Sequence, residues 1–95
     1  GFNAWLMPTV ATVPPEIASI ENDDEAFFSV NANVLRNPSV VNFMDGCALT
    51  LPCHNENELP VGLSICGPAL ADASIVSIAR SIEALLCASG PVVAA

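Results

Sequence analysis

The sequence predicts a small α/β protein in which about three strands pack with two longer helices and one short helix. Apolar residues alternate with small residues in two neighbouring segments, which is typical of strands. These apolar residues are Leu49, Leu51, Val61, Leu63 and Ile65. Two other segments, 22–36 and 72–87, carry apolar residues at helical spacing, which predicts amphipathic helices.

The first strand is predicted for the unbroken apolar run from Ala4 to Met7, which Pro8 closes. Runs of this kind are typical of buried strands in parallel sheets. Residues 9–21 are predicted to form a surface loop, because the Pro14-Pro15 pair favours an extended backbone.

Two helices are predicted before the strand pair. Asn22 is the expected cap of the first, with Glu25 three residues later as in a capping box. This helix is expected to end by Asn37, because the residue before Pro38 avoids helical angles. Pro38 at a first helical position and Gly46 beyond the end predict a separate short helix.

The strand pair that follows has no clearly polar face, so both strands are expected inside a sheet covered on both sides. The polar segment 54–58 is expected to be a solvated loop between antiparallel neighbours. The last helix is predicted from Asp72 to Cys87, with Gly90 and Pro91 after its end.

Five pieces of the sequence occur in one order along the chain. They are Gly1-Phe2-Asn3-Ala4-Trp5-Leu6-Met7-Pro8-Thr9, Asn42-x-x-x-Gly46-Cys47-Ala48-Leu49-Thr50-Leu51-Pro52-Cys53, Leu59-Pro60-Val61-Gly62-Leu63-x-x-x-Gly67-Pro68, Ala71-Asp72 and Ala79-Arg80-Ser81-Ile82-Glu83. Together they resemble the C-terminal end of amidase-signature hydrolases, over residues 1–87. The resemblance implies that residues 1–95 are the C-terminal segment of such a domain and complete its mixed sheet. The catalytic N-terminal portion would lie outside this chain.

The resemblance implies an enzyme that hydrolyses an amide carbon–nitrogen bond. In that family a serine attacks, and a second serine, held by a cis peptide, relays its proton to a lysine; all three lie upstream of the portion matched here. This chain contains no lysine, so we expect it to be inactive alone, and we assign it no catalytic residue. The implied partners are the N-terminal portion of the same amidase and a small-molecule amide. No cofactor is implied.

Arg36 and Asn42 are the candidate pocket residues. In the family resembled, the segment leading into the strand pair approaches the substrate pocket, and Arg36 is one of only two cations in an acidic chain. The alternative is structural: Arg36 would be a charge at a helix C-terminus and Asn42 a polar helix position.

Other chemistry-bearing residues favour structural interpretations. Cys53 and His54 are neighbours, which point to opposite faces of a strand, and the cysteines lack the paired spacing of a zinc site, so we predict no metal. The acidic run 23–25 is explained by helix capping rather than by calcium. Three of the four cysteines fall within apolar strands or a helix face, so we expect reduced core cysteines, with a Cys53–Cys66 bridge as the alternative.

Composition predicts association. The chain is 53% hydrophobic and 13% charged, against about 25% charged residues in typical domains, so much of its surface should be covered by something else. The missing N-terminal portion is the first candidate and a second copy the next. Because the chain begins at Gly1, we expect it to be a piece of a longer protein. The competing hypothesis is a non-catalytic α/β module that self-associates.

The net charge of −8 argues against nucleic acid as a partner, because phosphate binding requires cations. No uninterrupted apolar run is long enough to cross a bilayer, so no membrane partner is expected. No signal-peptide pattern is visible at the start, and we expect a cytoplasmic protein.

Overall fold

The computed structural model describes residues 3–88, which form one three-stranded sheet and two α-helices. The strands are β1 (Trp5–Pro8), β2 (Cys47–Pro52) and β3 (Gly62–Gly67). The helices are α1 (Asp24–Phe43) and α2 (Asp72–Ala88), and a single 3₁₀ turn covers Ile17–Ser19. The α/β class predicted from the sequence is confirmed. The predicted helix stop at Gly90 and Pro91 lies outside the described residues.

The sheet has the order β1-β3-β2, and both pairings are antiparallel. The antiparallel arrangement of β2 and β3 is therefore confirmed. β1 also runs antiparallel to β3, so the predicted parallel arrangement is wrong. The predicted burial of this strand is wrong as well, because β1 has no buried residue and Leu6 is 55% exposed. Among the described strands β3 is central and β2 is an edge, so the expectation that both were interior is wrong for β2.

The core lies between α2 and one face of the sheet. Leu51 and Ile65 project from the strands, and Ile75 and Ala79 meet them from α2. Ile65 is fully buried, because it is central in the sheet and lies opposite Leu49 across the β2–β3 pair. Helix α2 covers this face only. The sequence did not reveal that the two sheet faces differ.

Helix α1 is one continuous helix, so the predicted break at Pro38 is wrong. Proline removes one helical hydrogen bond, but the turn around it is held by other contacts. Ser39 Oγ donates to the Leu35 carbonyl at 2.6 Å, and Asn37 Nδ2 donates to the Pro8 carbonyl at 2.8 Å. The cap is also one residue later than predicted. Asp23, not Asn22, accepts the Ala26 N–H at 3.1 Å.

Two residues turn the chain from α1 into β2. Asp45 has a φ of 52°, in the left-handed region that ends helices. Gly46 then passes close to β3: a Cβ at this position would lie 2.6 Å from the Gly67 carbonyl oxygen. Gly46 is therefore needed for close backbone approach, while Asp45 adopts the left-handed conformation.

Large apolar side chains remain exposed on the described part of the chain. Phe28 is 67% exposed, Phe43 91% and Leu70 97%, and α1 has no buried residue. Leu70 also has a φ of 66°, which is costly for a residue with a branched side chain. Among residues 3–88, no helix combines the length and apolarity needed to cross a membrane.

Candidate functional site

A cavity of about 540 Å³, which we call the hydroxyl cavity, opens where the loop after β1 faces the ends of β2 and β3. Apolar side chains and prolines dominate its walls, with a few polar groups among them. Its lining residues are Thr9, Val10, Thr12, Val13, Pro14, Pro15, Val34, Thr50, Pro52, His54, Pro60, Val61 and Gly62. Concave, mostly apolar sites with a few convergent polar groups are typical of ligand pockets.

Three hydroxyl groups meet beside this cavity, and we call them the hydroxyl ring. Ser64 and Thr50 lie directly opposite each other on β3 and β2, and Thr9 follows the end of β1. The oxygen of Thr9 lies 2.8 Å from that of Ser64 and 3.2 Å from that of Thr50, and the third side of the ring is 3.4 Å. Because strand side chains alternate, the ring lies on the sheet face opposite α2.

The hydroxyl groups of the ring can exchange donor and acceptor roles. The contact between Thr9 and Ser64, at 2.8 Å, lies within the ordinary O–H···O hydrogen-bond range, and either oxygen can donate in it. The contacts of Thr50 with Thr9 and with Ser64 are longer, at 3.2 and 3.4 Å. Each hydroxyl carries one proton and can rotate, so the ring can offer an acceptor or a donor to a group beside it.

Gly62 makes the ring sterically feasible. A Cβ on Gly62 would lie 2.6 Å from Thr50 Cγ2 and 2.9 Å from Thr9 Oγ1. The Gly62 carbonyl also accepts the Thr9 N–H at 3.0 Å, which continues the β1–β3 pairing by one residue. The glycine thus holds Thr9 against β3 and leaves the space in which the two threonines meet.

His54, which also lines the cavity, adds an imidazole group to these hydroxyls. The Val61 N–H lies 3.1 Å from His54 Nδ1, and the Val61 carbonyl already accepts the Cys53 N–H at 2.9 Å. Since a backbone N–H always carries its proton, Nδ1 acts as the acceptor although the Val61 oxygen is also near, at 3.2 Å. The neutral imidazole then carries its proton on Nε2, which is a donor.

The described lining of the cavity contains no Asp, Glu, Lys or Arg. Within residues 3–88 no group of three or more His, Cys, Asp or Glu side chains is placed to hold a metal ion. The hydrogen bonds of the Ser64 hydroxyl run to two other hydroxyls, so no base activates it. The described residues therefore offer hydroxyl groups and an imidazole for hydrogen bonding but no activated nucleophile.

Arg36 and Asn42 both lie on α1, and both are exposed. Arg36 Nε donates to the neighbouring Asn37 Oδ1 at 3.4 Å. Neither residue lines the hydroxyl cavity. Their role in a substrate pocket stays a prediction.

The sequence reasoning missed the hydroxyl ring and His54. The available signal was that Thr50, Gly62 and Ser64 occupy the small, non-core positions of two neighbouring predicted strands. The strand register was missing, and it decides which of these positions face one another. His54 was assigned to the solvated loop, whereas the structure places it in the cavity wall.

All four cysteines are free thiols, so the alternative Cys53–Cys66 bridge is not present. Cys66 is buried, whereas Cys87 is exposed, against the prediction of a core position for it. Burial raises the pKa of Cys66, and the neighbouring Cys47 raises it further. The pKa of Cys47 is also raised, first by burial and then by Asp72.

Comparison with known proteins finds relatives that match most of this chain. The chain is 40% identical over 82 residues to 2-amino-5-chloromuconic acid deaminase of Comamonas testosteroni. It is 31% identical over 81 residues to the A subunit of the glutamyl-tRNA(Gln) amidotransferase of Natranaerobius thermophilus, and 28% identical over 82 residues to the same protein of Saccharolobus solfataricus. The chain is homologous to amidase-signature proteins.

These matches cover 85–86% of the chain but only 16–18% of each of the three relatives. The chain therefore spans less than a fifth of the length of these relatives. No family model and no solved structure matches the chain.

Proposed function

We propose that this chain is the C-terminal part of an amidase that hydrolyses an amide carbon–nitrogen bond. The single observation that carries the proposal is the similarity over 85% of the chain to a protein whose name is that of a deaminase. The amidotransferase relatives provide independent support, because their names also describe chemistry at carbon–nitrogen bonds.

The catalytic groups of the proposed enzyme lie outside this chain. A serine, a second serine held by a cis peptide and a lysine would perform the reaction, and this chain has no lysine. The role proposed for residues 1–95 is to complete the sheet and to form one wall of the substrate pocket. The hydroxyl cavity and the candidates Arg36 and Asn42 would belong to that wall.

The exposed apolar side chains support a covering partner. Phe28, Phe43 and Leu70 would be unusual on a protein that functions as an isolated monomer. We propose that the N-terminal portion of the amidase covers them in the intact protein. Residues 1–95 produced alone would then form a homo-oligomer, because the uncovered surfaces pair with one another.

The test uses the complete protein encoded by the gene. Purified protein is incubated with benzamide, and the released ammonia is measured with a coupled enzymatic assay. Steady ammonia release is expected from the complete protein and none from residues 1–95 alone. No release from a panel of neutral and charged amides, by a folded complete protein, would contradict the proposal.

The competing hypothesis, a non-catalytic module that self-associates, makes a different prediction. It predicts that residues 1–95 form a folded oligomer whose size and stability do not change when the upstream portion is added. Sedimentation of the two forms, with and without a separately produced upstream fragment, distinguishes the hypotheses. Formation of a 1:1 complex with that fragment supports the amidase.

A further inference from the structure

We propose that Asp45 is a site of spontaneous isomerisation to isoaspartate, and that the end of α1 protects it in the folded protein. Among the aspartate and asparagine residues of the chain, only Asp45 is followed by glycine. Glycine has no side chain to hinder its own backbone nitrogen, so this nitrogen can readily attack the side chain of a preceding aspartate. The inference does not depend on the proposed amide hydrolysis.

The reaction needs only the chain and water. The Gly46 nitrogen bonds to the side-chain carboxyl carbon of Asp45, and one carboxyl oxygen leaves as water, together with the proton of the nitrogen. The product is a five-membered succinimide ring. Water then opens the ring at either of its two carbonyl carbons, which gives back aspartate or forms isoaspartate. In isoaspartate the backbone continues through the former side chain, and nothing is oxidised or reduced.

Asp45 lies in the joint between α1 and β2, where its side chain is accessible. Helix α1 ends at Phe43, and β2 begins at Cys47. Asp45 is exposed and has a φ of 52°, whereas Gly46 is half-buried. The carboxyl group is therefore free to rotate, while the attacking nitrogen is held within the fold.

Two hydrogen bonds fix the backbone of this joint. The Gly46 N–H donates to the Val41 carbonyl at 3.0 Å, and the Asp45 N–H donates to the Asn42 carbonyl at 3.2 Å. Ring closure requires the peptide between Asp45 and Gly46 to rotate toward the carboxyl group, which would break the first bond. The end of α1 must therefore open before the reaction, and such local opening sets how fast the folded protein converts.

Isoaspartate would not fit the folded joint, because it adds one carbon atom to the backbone between α1 and β2. The backbone of Gly46 already lies close to β3: a Cβ there would be 2.6 Å from the Gly67 carbonyl oxygen. The next residue, Cys47, is paired with Gly67 across the sheet. The added atom must displace Gly46 or shift the start of β2, so we expect the converted protein to be less stable.

The experiment maps the conversion of Asp45 in the complete protein. Samples are incubated in buffer or in urea that unfolds the protein, and are then digested with trypsin. Trypsin cuts after Arg36 and Arg80 and releases residues 37–80 as one peptide. The aspartate and isoaspartate forms have equal mass, but they separate by chromatography and differ in electron-transfer fragmentation. Asp72 in the same peptide is followed by alanine and is the internal control.

We expect Asp45 to convert at least about tenfold faster in urea than in buffer, because the unfolded chain lacks the bond from Gly46 to Val41. Asp72 should stay unconverted in both samples. Equal rates in urea and buffer would overturn the protection by α1. No conversion of Asp45 in urea, or equal conversion of Asp72, would overturn the site itself.

Two valine variants test whether the protection is local to the end of α1. Val41→Gly weakens the last turn of α1, whereas Val76→Gly makes the same change in α2, at a position 46% exposed. In buffer, we expect Val41→Gly to speed conversion about threefold to tenfold and Val76→Gly to leave it near the wild-type rate. Equal acceleration by both variants would show that conversion follows unfolding of the whole protein, and it would overturn the local protection.

Asp45→Asn reports the same ring closure by mass. Asparagine also tolerates the left-handed conformation, so the joint should be preserved. Its ring closure releases ammonia instead of water, so the opened product differs in mass from the starting peptide. We expect this variant to convert faster in urea than in buffer, as the wild type does. An unchanged peptide mass after incubation in urea would overturn the site.

The consequence for stability is measured on converted wild-type protein after its return to buffer. We expect it to unfold at a lower urea concentration than unconverted protein treated in the same way. An unchanged unfolding midpoint would show that the joint accommodates the added backbone atom, and it would overturn the steric argument for Gly46.

Discussion

Gly62→Ala tests whether close packing at this glycine holds the hydroxyl ring together. The added methyl group would lie 2.6 Å from Thr50 Cγ2 and 2.9 Å from Thr9 Oγ1, and both distances are shorter than a normal contact. Turning Thr50 away would break the contacts of its hydroxyl with Ser64 and Thr9. The substitution must therefore displace a threonine or a strand.

The expected cost follows from the clash in the wall of the hydroxyl cavity, where Thr50 is exposed and Thr9 is half-buried. Inserting one methylene typically costs about 1–3 kcal/mol, more than the gain of about 0.5–1 kcal/mol from replacing glycine within a strand. We therefore expect Gly62→Ala to lower the free energy of unfolding by about 1–2 kcal/mol. Benzamide affinity should fall as well, because the ring oxygens separate.

A double-mutant cycle identifies the clash directly. Thr50→Ser deletes Cγ2, the atom 2.6 Å from the added methyl group, and keeps the ring hydroxyl. In the Gly62→Ala background it should recover about 1 kcal/mol, whereas alone it should change stability by about 0.5 kcal/mol or less. Recovery is expected to be partial, because the contact with Thr9 remains.

The cycle is measured by urea unfolding of the four forms of the complete protein, with benzamide affinity as the second readout. Additivity within about 0.5 kcal/mol would show that the added methyl group and Thr50 do not meet. That result would refute the packing described for Gly62 and, with it, the closeness of the two threonines.

Three further predictions test the core, the thiols and α1. Ile65→Ala should cost about 2–5 kcal/mol in a urea titration, because Ile65 is fully buried, whereas Ile17→Ala, at a position 74% exposed, should cost far less. Burial raises the pKa of Cys66, so the thiol of the unfolded state loses its proton first, and the folded protein becomes less stable as pH rises above the ordinary thiol pKa of about 8.5. Cys66→Ala should make this decline smaller over the same rise in pH. If Arg36 lines the substrate pocket, Arg36→Ala should lower kcat/KM for an amide about tenfold, while Arg80→Ala, which removes the chain's other cation, should not; equal values would remove Arg36 from the pocket.

Local patterns predicted much of the secondary structure. The last helix was predicted from Asp72 to Cys87, and the structure describes it as Asp72–Ala88. Its apolar stripe and its first residue agree with the prediction, because no competing pattern is present in this segment. Strands β2 and β3 were also predicted correctly. Large and small residues alternate along both strands, and this alternation does not depend on which elements cover the sheet.

Pro38 shows where local rules fail. The rule that a residue before proline avoids helical angles is a preference of modest energy, and tertiary contacts outweighed it. Asn37 bonds to the Pro8 carbonyl, a residue 29 positions away, and so holds α1 continuous across the proline. No local pattern contains that contact.

The hydroxyl ring could not be predicted from the sequence because it too depends on contacts between residues that are distant along the chain. Thr9, Thr50 and Ser64 are separated by up to 55 positions and are brought together by the register of three strands. The sequence predicts which positions share a face of one strand, but it does not predict which positions of two strands lie opposite. The resemblance to amidases indicated the family but did not predict the cavity.

The most direct test of the account is ammonia release by the complete protein supplied with benzamide, measured beside the Thr50→Val and Ser39→Ala variants. We expect turnover by the wild type and by Ser39→Ala, and a higher KM for Thr50→Val. No turnover by any folded form would contradict the proposed amide hydrolysis, and equal KM values in all three forms would contradict the role of the hydroxyl ring.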